Sequence, residues 1–326
     1  MRKISTALVI AAGACVLSLC AASAGAADLP YPSRPVRLVV GFPPGGATDI
    51  LARVAGEALA RDWGQQVVVD NRPGAASMIA ATLVGKSQPD GYTLLAATNG
   101  MAIAKLTQAK VEVDAIKDFE PIMLMANVPF MLVGSPNIPA NNLKELVELA
   151  KAKPGTLNYA SFGTGTSNHF MGELMRMVAG INMVHVPYKG SAPAMTDVMG
   201  GQVQLMFDNF GAALRQVRAG KVRAYGVVTP QRSARAPDIP TFAESGLPGV
   251  SGTSWVGLMA PAGTPKAVVD KVWQDTTRLM KSGVSKTIND QGFDPVEMGP
   301  ADFRNLLKEE IEKWTAVARN AGIKPE

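Results

Sequence analysis

From Val36 onward the chain repeats one phrase: a short β-branched or apolar run, a loop of glycine, proline, serine or asparagine, then an alanine- or leucine-rich helical pattern. The runs fall at 36–42, 67–70, 93–97, 157–160, 183–186, 203–207 and 222–228. Strands alternating with helices predict an α/β chain built of βα units, with mostly parallel sheets covered on both faces. In NNLKELVELAKAKPG, Asn142 stands three residues before Glu145, the spacing of a capping box, and Leu143, Leu146, Val147 and Ala150 form one apolar face. In GTPKAVVDKVWQDTTRLMKSG, Thr264 is placed to cap, Pro265 falls in the first turn, and Gly283 closes the C-terminus. The last helix puts Phe303, Leu307, Ile311, Trp314 and Ala318 on one stripe, and these stripes read as core.

Two passages interrupt the phrase. FEPIMLMANVPFMLVGSP, around residue 127, is a long extended apolar stretch, and GLPGVSGTSWVGLMAPAGTP, around residue 251, is the second. Taken as hinge strands, they divide the chain into one lobe of residues 28–127 plus 251–326 and another of residues 128–250. Two lobes joined by two strands enclose a cleft that closes by hinge motion.

A length of 326 residues accommodates two such bodies. Residues 1–26 are read apart from them: Arg2-Lys3, an apolar run and Ala24-Gly25-Ala26 make a secretory signal peptide. Leu19 before Cys20 and Ala12 before Cys15 fit a lipid-attachment site poorly, so no lipid anchor is expected. Cleavage removes both cysteines, leaving neither disulfide nor thiol nucleophile, and losing Arg2 and Lys3 lowers the formal charge from +5 to +3. Basic residues are scattered singly, which gives no nucleic-acid patch. The expectation is a soluble periplasmic monomer.

In open α/β sheets ligands gather where strands end and helices begin. The loops at those positions are FPPGGATD (42–49), NRPGAAS (71–77), ATNG (97–100), ASFGTGTSNH (160–169), PYKGSAP (187–193) and FDNFGAA (207–213). Each offers small residues, hydroxyls and backbone N–H groups at a helix N-terminus, where unpaired donors and the helix dipole favour an anion. Asp49 reads as the residue that orients the first loop. Gly163-Thr164-Gly165 lacks the third glycine of a dinucleotide fingerprint, since position 168 is Asn. Of the two histidines, His185 reads as a packed strand residue and His169 as a brace for its loop. No His/Asp/Glu cluster has metal-ligand spacing, and no serine has glycine at both flanking positions of the nucleophile-elbow pattern. Ser161 or Ser167 with His169 is the only hydrolytic pairing, and it has no acidic partner. The pattern suits gripping a small carboxylate, without arginine, better than transforming it.

FPPGGATD, NRPGAAS, PDGYTL (89–94), HVPYKGSAPA (185–194), GGQVQLMFDN (200–209), IPTFAESGLPG (239–249) and WVGLMAPAGTP (255–265) resemble, in order, the solute-binding proteins of tripartite tricarboxylate transporters, the Bug or TctC-like family. The resemblance implies a two-lobed periplasmic binding protein of the type II kind that captures a small organic carboxylate. It implies delivery to integral membrane subunits, no cofactor and no enzymatic activity. Carried over by position, it nominates Phe42, Pro43, Gly45, Gly46 and Asp49, then Ala75, Ala76 and Ser77, then Thr98 and Asn99 from one lobe. From the other it nominates Ser161, Gly163, Thr164, Thr166, Ser167, His169, Tyr188 and Asp208. The chain departs from the family's pattern at Gly41, in KVEVDAIKDFEPI (110–122), and at Ala76-Ser77, where paired glycines are usual. A dicarboxylate, tricarboxylate, aromatic acid or amino acid would satisfy such a clamp, and Phe42, Phe162, Phe207 and Phe210 lie in or beside the loops where an aromatic solute would stack. A periplasmic sensor presenting its solute to a receptor, or a secreted hydrolase, is the alternative reading.

Overall fold

VRLVV is apolar on both faces, and the strand it forms, β1 (Val36–Val40), is buried along nearly its whole length. The computed structural model describes residues 31–325, so the predicted signal peptide with Cys15 and Cys20 lies outside the described residues. The unit that follows begins at Arg34. β1 pairs in parallel with β2 (Val67–Asn71) on one side and β3 (Thr93–Thr98) on the other. The crossovers are helical: α1 (Ala47–Trp63) between β1 and β2, and α2 (Met78–Gly85) between β2 and β3. α3 (Gly100–Thr107) follows β3.

The first of the two interrupting passages is a single strand, β4 (Phe119–Gly134). Its early part pairs antiparallel with β9 (Thr253–Pro261), the second passage, and with β10 (Asp294–Met298). Its last residues, Phe130 to Gly134, pair antiparallel with β7 (Leu205–Asn209), and Met131 to Gly134 pair with β8 (Arg223–Val227) on the other edge. Proline cannot donate to a ladder, and β4 places its two where that costs least. Pro121 sits at a register shift, and Pro129 at the change from β9 to β7. β5 (Leu157–Ser161) then pairs in parallel with β7 and β6 (Met183–Pro187).

Among the described residues the path is therefore β2-β1-β3-β9-β4-β7-β5-β6, with β8 and β10 also on β4. The sheet is mixed rather than mostly parallel. Pairs joined by a crossover helix are parallel, as expected, while every pairing of β4 and β9 is antiparallel. β4 alone runs from one half of the sheet into the other, pairing with β9 and β10 along its first part and with β7 and β8 along its last residues.

The helices follow their local signals. α4 (Leu143–Ala152) starts with the expected box: the Glu145 N–H donates to Asn142 Oδ1 at 2.9 Å, and Asn142 Nδ2 donates to Glu145 Oε1 at 2.7 Å. In the second half α5 (Ser167–Ala179), α6 (Ser191–Met199) and α7 (Phe210–Arg218) each follow a strand. α8 (Lys266–Leu279) begins after Pro265, but Thr264 does not cap it; the Thr264 hydroxyl turns back to the Pro261 carbonyl at 2.8 Å. Gly283, at φ 131°, sits inside a wide turn that leads on to α9 (Ser285–Asp290). In α10 (Pro300–Ala321) the expected stripe divides between two cores. Phe303 and Leu307 pack with Trp255 and Phe119, while Trp314 and Ala318 pack with Phe170 and Met171. One amphipathic helix thus spans both halves of the sheet.

Candidate functional site

The strand ends and helix starts of the two halves meet around a cleft of about 410 Å³, a volume in the range of small-molecule sites. The first half supplies Phe42 to Thr48 of the Pro-Pro-Gly-Gly loop, with Thr98 and Gly100. The second half supplies Phe162, Thr166 to Asn168, Lys189 to Pro193, and Asp208 and Asn209. Pro43 stands opposite Gly190: a side chain added at Gly190 would meet the Pro43 ring at 3.5 Å. The floor is apolar and comes from the two crossing strands, with Val128, Phe130 and Val256.

Five helices, α1, α3, α5, α6 and α7, open onto this space at their N-termini. None has a side-chain cap, in contrast to α4. Each therefore presents first-turn N–H groups with no intrahelical acceptor and the positive end of its dipole. The Thr98 hydroxyl stands among them, while those of Thr166, Ser167, Ser191 and Ser254 donate to Gly163, Asn99, Asp208 and Asn99 in turn. The arrangement is a set of backbone hydrogen-bond donors suited to an anion.

The first loop owes its shape to Asp49, which lies behind the cleft rather than on it. The Gly45 N–H donates to Asp49 Oδ2 at 2.9 Å, Arg53 donates to both carboxylate oxygens, and Asn71 Nδ2 donates to Oδ1 at 2.9 Å. Asn71 Nδ2 also reaches the Phe42 carbonyl at 2.9 Å, so both ends of the loop are tied to one carboxylate. Burial alone would raise the Asp49 pKa, but the bonds from Arg53, Gly45 and Asn71 outweigh it and hold the group below its ordinary value.

Other nominated residues divide in the same way. Phe42, Pro43, Gly45, Gly46, Thr98, Thr166, Ser167 and Asp208 line the cleft. Asn99 is fully buried behind it, where its Oδ1 accepts from the Ser167 and Ser254 hydroxyls and so ties α3 to α5 and β9. Ala75, Ala76 and Ser77 are away from the cleft and have positive φ of 46°, 51° and 79°. The Ser77 hydroxyl is buried without a partner and packs against Gly41. Tyr188 donates to Asp197 at 2.6 Å, Thr164 is exposed, and Gly163 donates to Ser161 Oγ at 3.1 Å. Phe162 lines the cleft, whereas Phe207 and Phe210 are core.

Ser161 meets a histidine, but it is His185 and not His169: Ser161 Oγ and His185 Nε2 share a hydrogen bond of 2.6 Å. His169 stacks on His185 with centroids 4.0 Å apart, and its Nδ1 accepts from the Gly165 N–H at 3.3 Å. Burial pushes the His169 pKa down to about 4 and, with the neighbouring His169, that of His185 to about 3. Both rings are neutral and brace the 161–169 loop from beneath. Ser161 is wholly buried and does not line the cleft.

Asp208 is the one acid among the lining residues. Its Oδ1 accepts from the Ser191 hydroxyl at 2.9 Å and the Asn209 N–H at 2.8 Å, while Oδ2 is buried without a partner. Burial raises its pKa to about 6, against the pull of those two bonds and of Arg215. The cleft is not free of cations, as the loop chemistry alone suggested. Arg215 and Lys189 both line it. Sequence reading named the PYKGSAP loop without nominating Lys189 or Ser191. Arg215 lies within a helix, and Ser254 and Val256 lie in a passage read only as a hinge. The available signal was position: residues 212, 215 and 216 lie on one face of a helix that starts within the candidate loop 207–213.

Residues 51–323 match the family described as the tripartite tricarboxylate transporter family receptor. The chain belongs to that family. Protein BugT of Bordetella pertussis is 35% identical over 297 residues, covering 90% of this chain and 91% of BugT. The solved structure of R. palustris Rpa4515 with adipate superposes with a TM-score of 0.88 at 34% identity, covering 91% of this chain and 100% of that one. MatC from Rhodopseudomonas palustris with bound malate gives 0.83 at 32% identity, covering 88% and 100%. The tripartite tricarboxylate receptor fold therefore extends over nearly the whole described chain. The family match begins two residues after Asp49, so the geometry of the Pro-Pro-Gly-Gly loop rests on the contacts above.

Proposed function

We propose that this receptor-family member is an exported binding protein that captures a small organic carboxylate between two lobes and delivers it to a membrane transporter of the tripartite type. The lobes are residues 28–127 with 251–326, and residues 128–250, hinged on β4 and β9. The carboxylate sits against the helix N-termini, and closure of the Pro43 loop on the Gly190 loop shuts out water. The observation that carries the reading is the convergence of five uncapped helix starts on one cleft. Rpa4515 with adipate and MatC with malate support it, because both relatives hold a small carboxylate. Bonds from such donors to a charged acceptor contribute roughly 1.5–3 kcal/mol each. Three or four of them, less the cost of association, reach the roughly −8 kcal/mol of micromolar binding.

The cleft is built to hold and release. The one carboxylate on the cleft wall, Asp208, accepts from the Ser191 hydroxyl at 2.9 Å, and the Ser161–His185 bond lies buried behind the wall. The test is a thermal-shift screen against aliphatic and aromatic carboxylates after unfolding and refolding to strip retained solute. At about 100 times its dissociation constant a solute adds roughly 2.7 kcal/mol, which for a chain of this size raises the Tm by about 5 °C. No shift with any carboxylate would remove the proposal.

A further inference from the structure

We propose that Arg235 is a latch between the two lobes: by crossing to Asn289 and Asp294 it holds the arrangement in which the Pro43 and Gly190 loops face each other, and so sets solute affinity from outside the cleft. The inference rests on the two-lobe reading proposed above and names a contact on which closure depends.

Arg235 lies in the loop after β8, in the second lobe. Its guanidinium donates through Nη1 to the Asn289 carbonyl and, at 3.2 Å, to Asn289 Oδ1, and through Nη2 to Asp294 Oδ1 at 3.1 Å. Both acceptors belong to the first lobe, Asn289 near the end of α9 and Asp294 at the start of β10. One planar fork therefore bonds two elements across the lobe boundary, which a single ammonium point charge reproduces only in part. The boundary itself passes through this point: Asp294 pairs with Asn127 of β4, the residue at which the first lobe gives way to the second.

The fork is also held from its own side. It lies over the Phe210 ring, 5.3 Å from the centre, and the Arg235 carbonyl accepts from Arg218 at 2.8 Å. Phe210 and Arg218 are the first and last residues of α7, the helix that lines the cleft with Ala212, Arg215 and Gln216. Next to Phe210 the lobes touch backbone to backbone. A side chain added at Gly211 would stand 2.7 Å from the Gln291 carbonyl, and one added at Gly292 would stand 2.7 Å from the Gly211 Cα. The latch thus fixes α7, and with it one of the five helix starts, against the first lobe. Arg235, Asn289 and Asp294 do not line the cleft. Ser167 also crosses between the lobes, to Asn99, but it stands in the cleft wall, so changing it would not separate latching from solute contact. The Arg235 bonds form while the lobes keep this arrangement, so they raise its population, and the apparent affinity falls with that population when they are removed.

The test measures adipate and malate binding by calorimetry, and the radius of gyration by small-angle scattering with and without each acid. The proteins are the native chain, Arg235→Met, Arg235→Lys, Asp294→Ala and the double variant of Arg235→Met with Asp294→Ala, each held well below its own Tm. Arg235→Met and Asp294→Ala weaken binding by about three- to tenfold, the range for a partly exposed charge-assisted bond. The double variant binds no more weakly than Arg235→Met, because both changes remove one latch. Arg235→Lys recovers part of the loss. Solute-free Arg235→Met is more extended than the native protein, and a saturating acid brings the two to the same radius. Unchanged affinity in Arg235→Met, or losses that add in the double variant, overturns the inference and leaves the clamp standing. Equal solute-free radii in the native protein and Arg235→Met overturn it even where neither acid binds. A native radius that does not change when an acid binds overturns the two-lobe closure as well.

Discussion

Ser77→Gly should stabilise the protein. Ser77 holds φ 79° and follows Ala75 and Ala76 at 46° and 51°, so three residues with side chains in succession occupy backbone space that suits glycine. The left-handed conformation costs a non-glycine residue about 1–2 kcal/mol. The Ser77 hydroxyl is buried with no partner, which costs about 1–3 kcal/mol more. Against this, glycine has more freedom to lose on folding, about 0.5–1 kcal/mol. A void also opens beside Gly41, where a side chain added at that glycine would lie 2.0 Å from Ser77 Oγ. Although Ser77 stands at the N-cap of α2, its side chain makes no capping bond, so nothing is lost there. The net gain is about 1–3 kcal/mol, or roughly 2–6 °C in Tm. Reversible thermal melts of Ser77→Gly and Ser77→Ala separate the two terms. Alanine relieves only the hydroxyl, whereas glycine also relieves the backbone. A Tm for Ser77→Gly at or below the native value would refute the reasoning.

Two further predictions concern groups behind the cleft wall. Asp49→Ala leaves the Gly45 N–H without its acceptor and takes one partner from Asn71 and from the half-exposed Arg53, which should cost about 1–3 kcal/mol of carboxylate affinity; unchanged calorimetric affinity would remove Asp49 from the loop's support. Because its pKa is held below the ordinary value, the stability Asp49 contributes is complete above that value and fades as pH falls through the folded pKa, a trend that native and Asp49→Ala melts below pH 4 would compare. His169 and His185 are depressed to about 4 and 3, so the unfolded chain binds more protons below its ordinary histidine pKa. Their contribution is full above about 6.5 and declines toward pH 4 by up to about 1.4 kcal/mol per pH unit for each ring. His185→Gln should flatten that slope in a Tm-versus-pH series, and an identical slope would refute it.

Much of the fold was legible because its signals are local. The β1 run, the Asn142–Glu145 box and the α10 stripe each declare themselves within a few residues. The Ala76-Ser77 departure was legible too, as a place where glycines are usual, and the positive φ values give the physical reason. Signals that depend on distant partners were not legible. β4 reads as one extended passage, but its antiparallel neighbour β9 lies more than a hundred residues away, so the mixed sheet could not be inferred from runs alone. Ser161 and His185 meet because β5 and β6 are adjacent and in register, which the sequence does not state. Arg215 was passed over because a cation on a helix surface is ordinarily solvated; only the direction of α7 toward the cleft makes it a site residue.

The two buried aspartates show how environment separates like groups around one anion site. Asp49 carries a full negative charge close to where a carboxylate would rest, yet Arg53 pairs with it directly and Gly45 and Asn71 satisfy its oxygens. The field it sends into the cleft is therefore largely cancelled, and what remains is a rigid loop with its N–H groups fixed. Asp208 has neutral donors for one oxygen and nothing for the other, and no cation bonds to it. Burial raises its pKa to about 6, outweighing the bonds from Ser191 and Asn209 and the charge of Arg215. The same residue type is a charged strut on one wall and a desolvated acid on the other, and the difference lies in whether an arginine bonds to it directly.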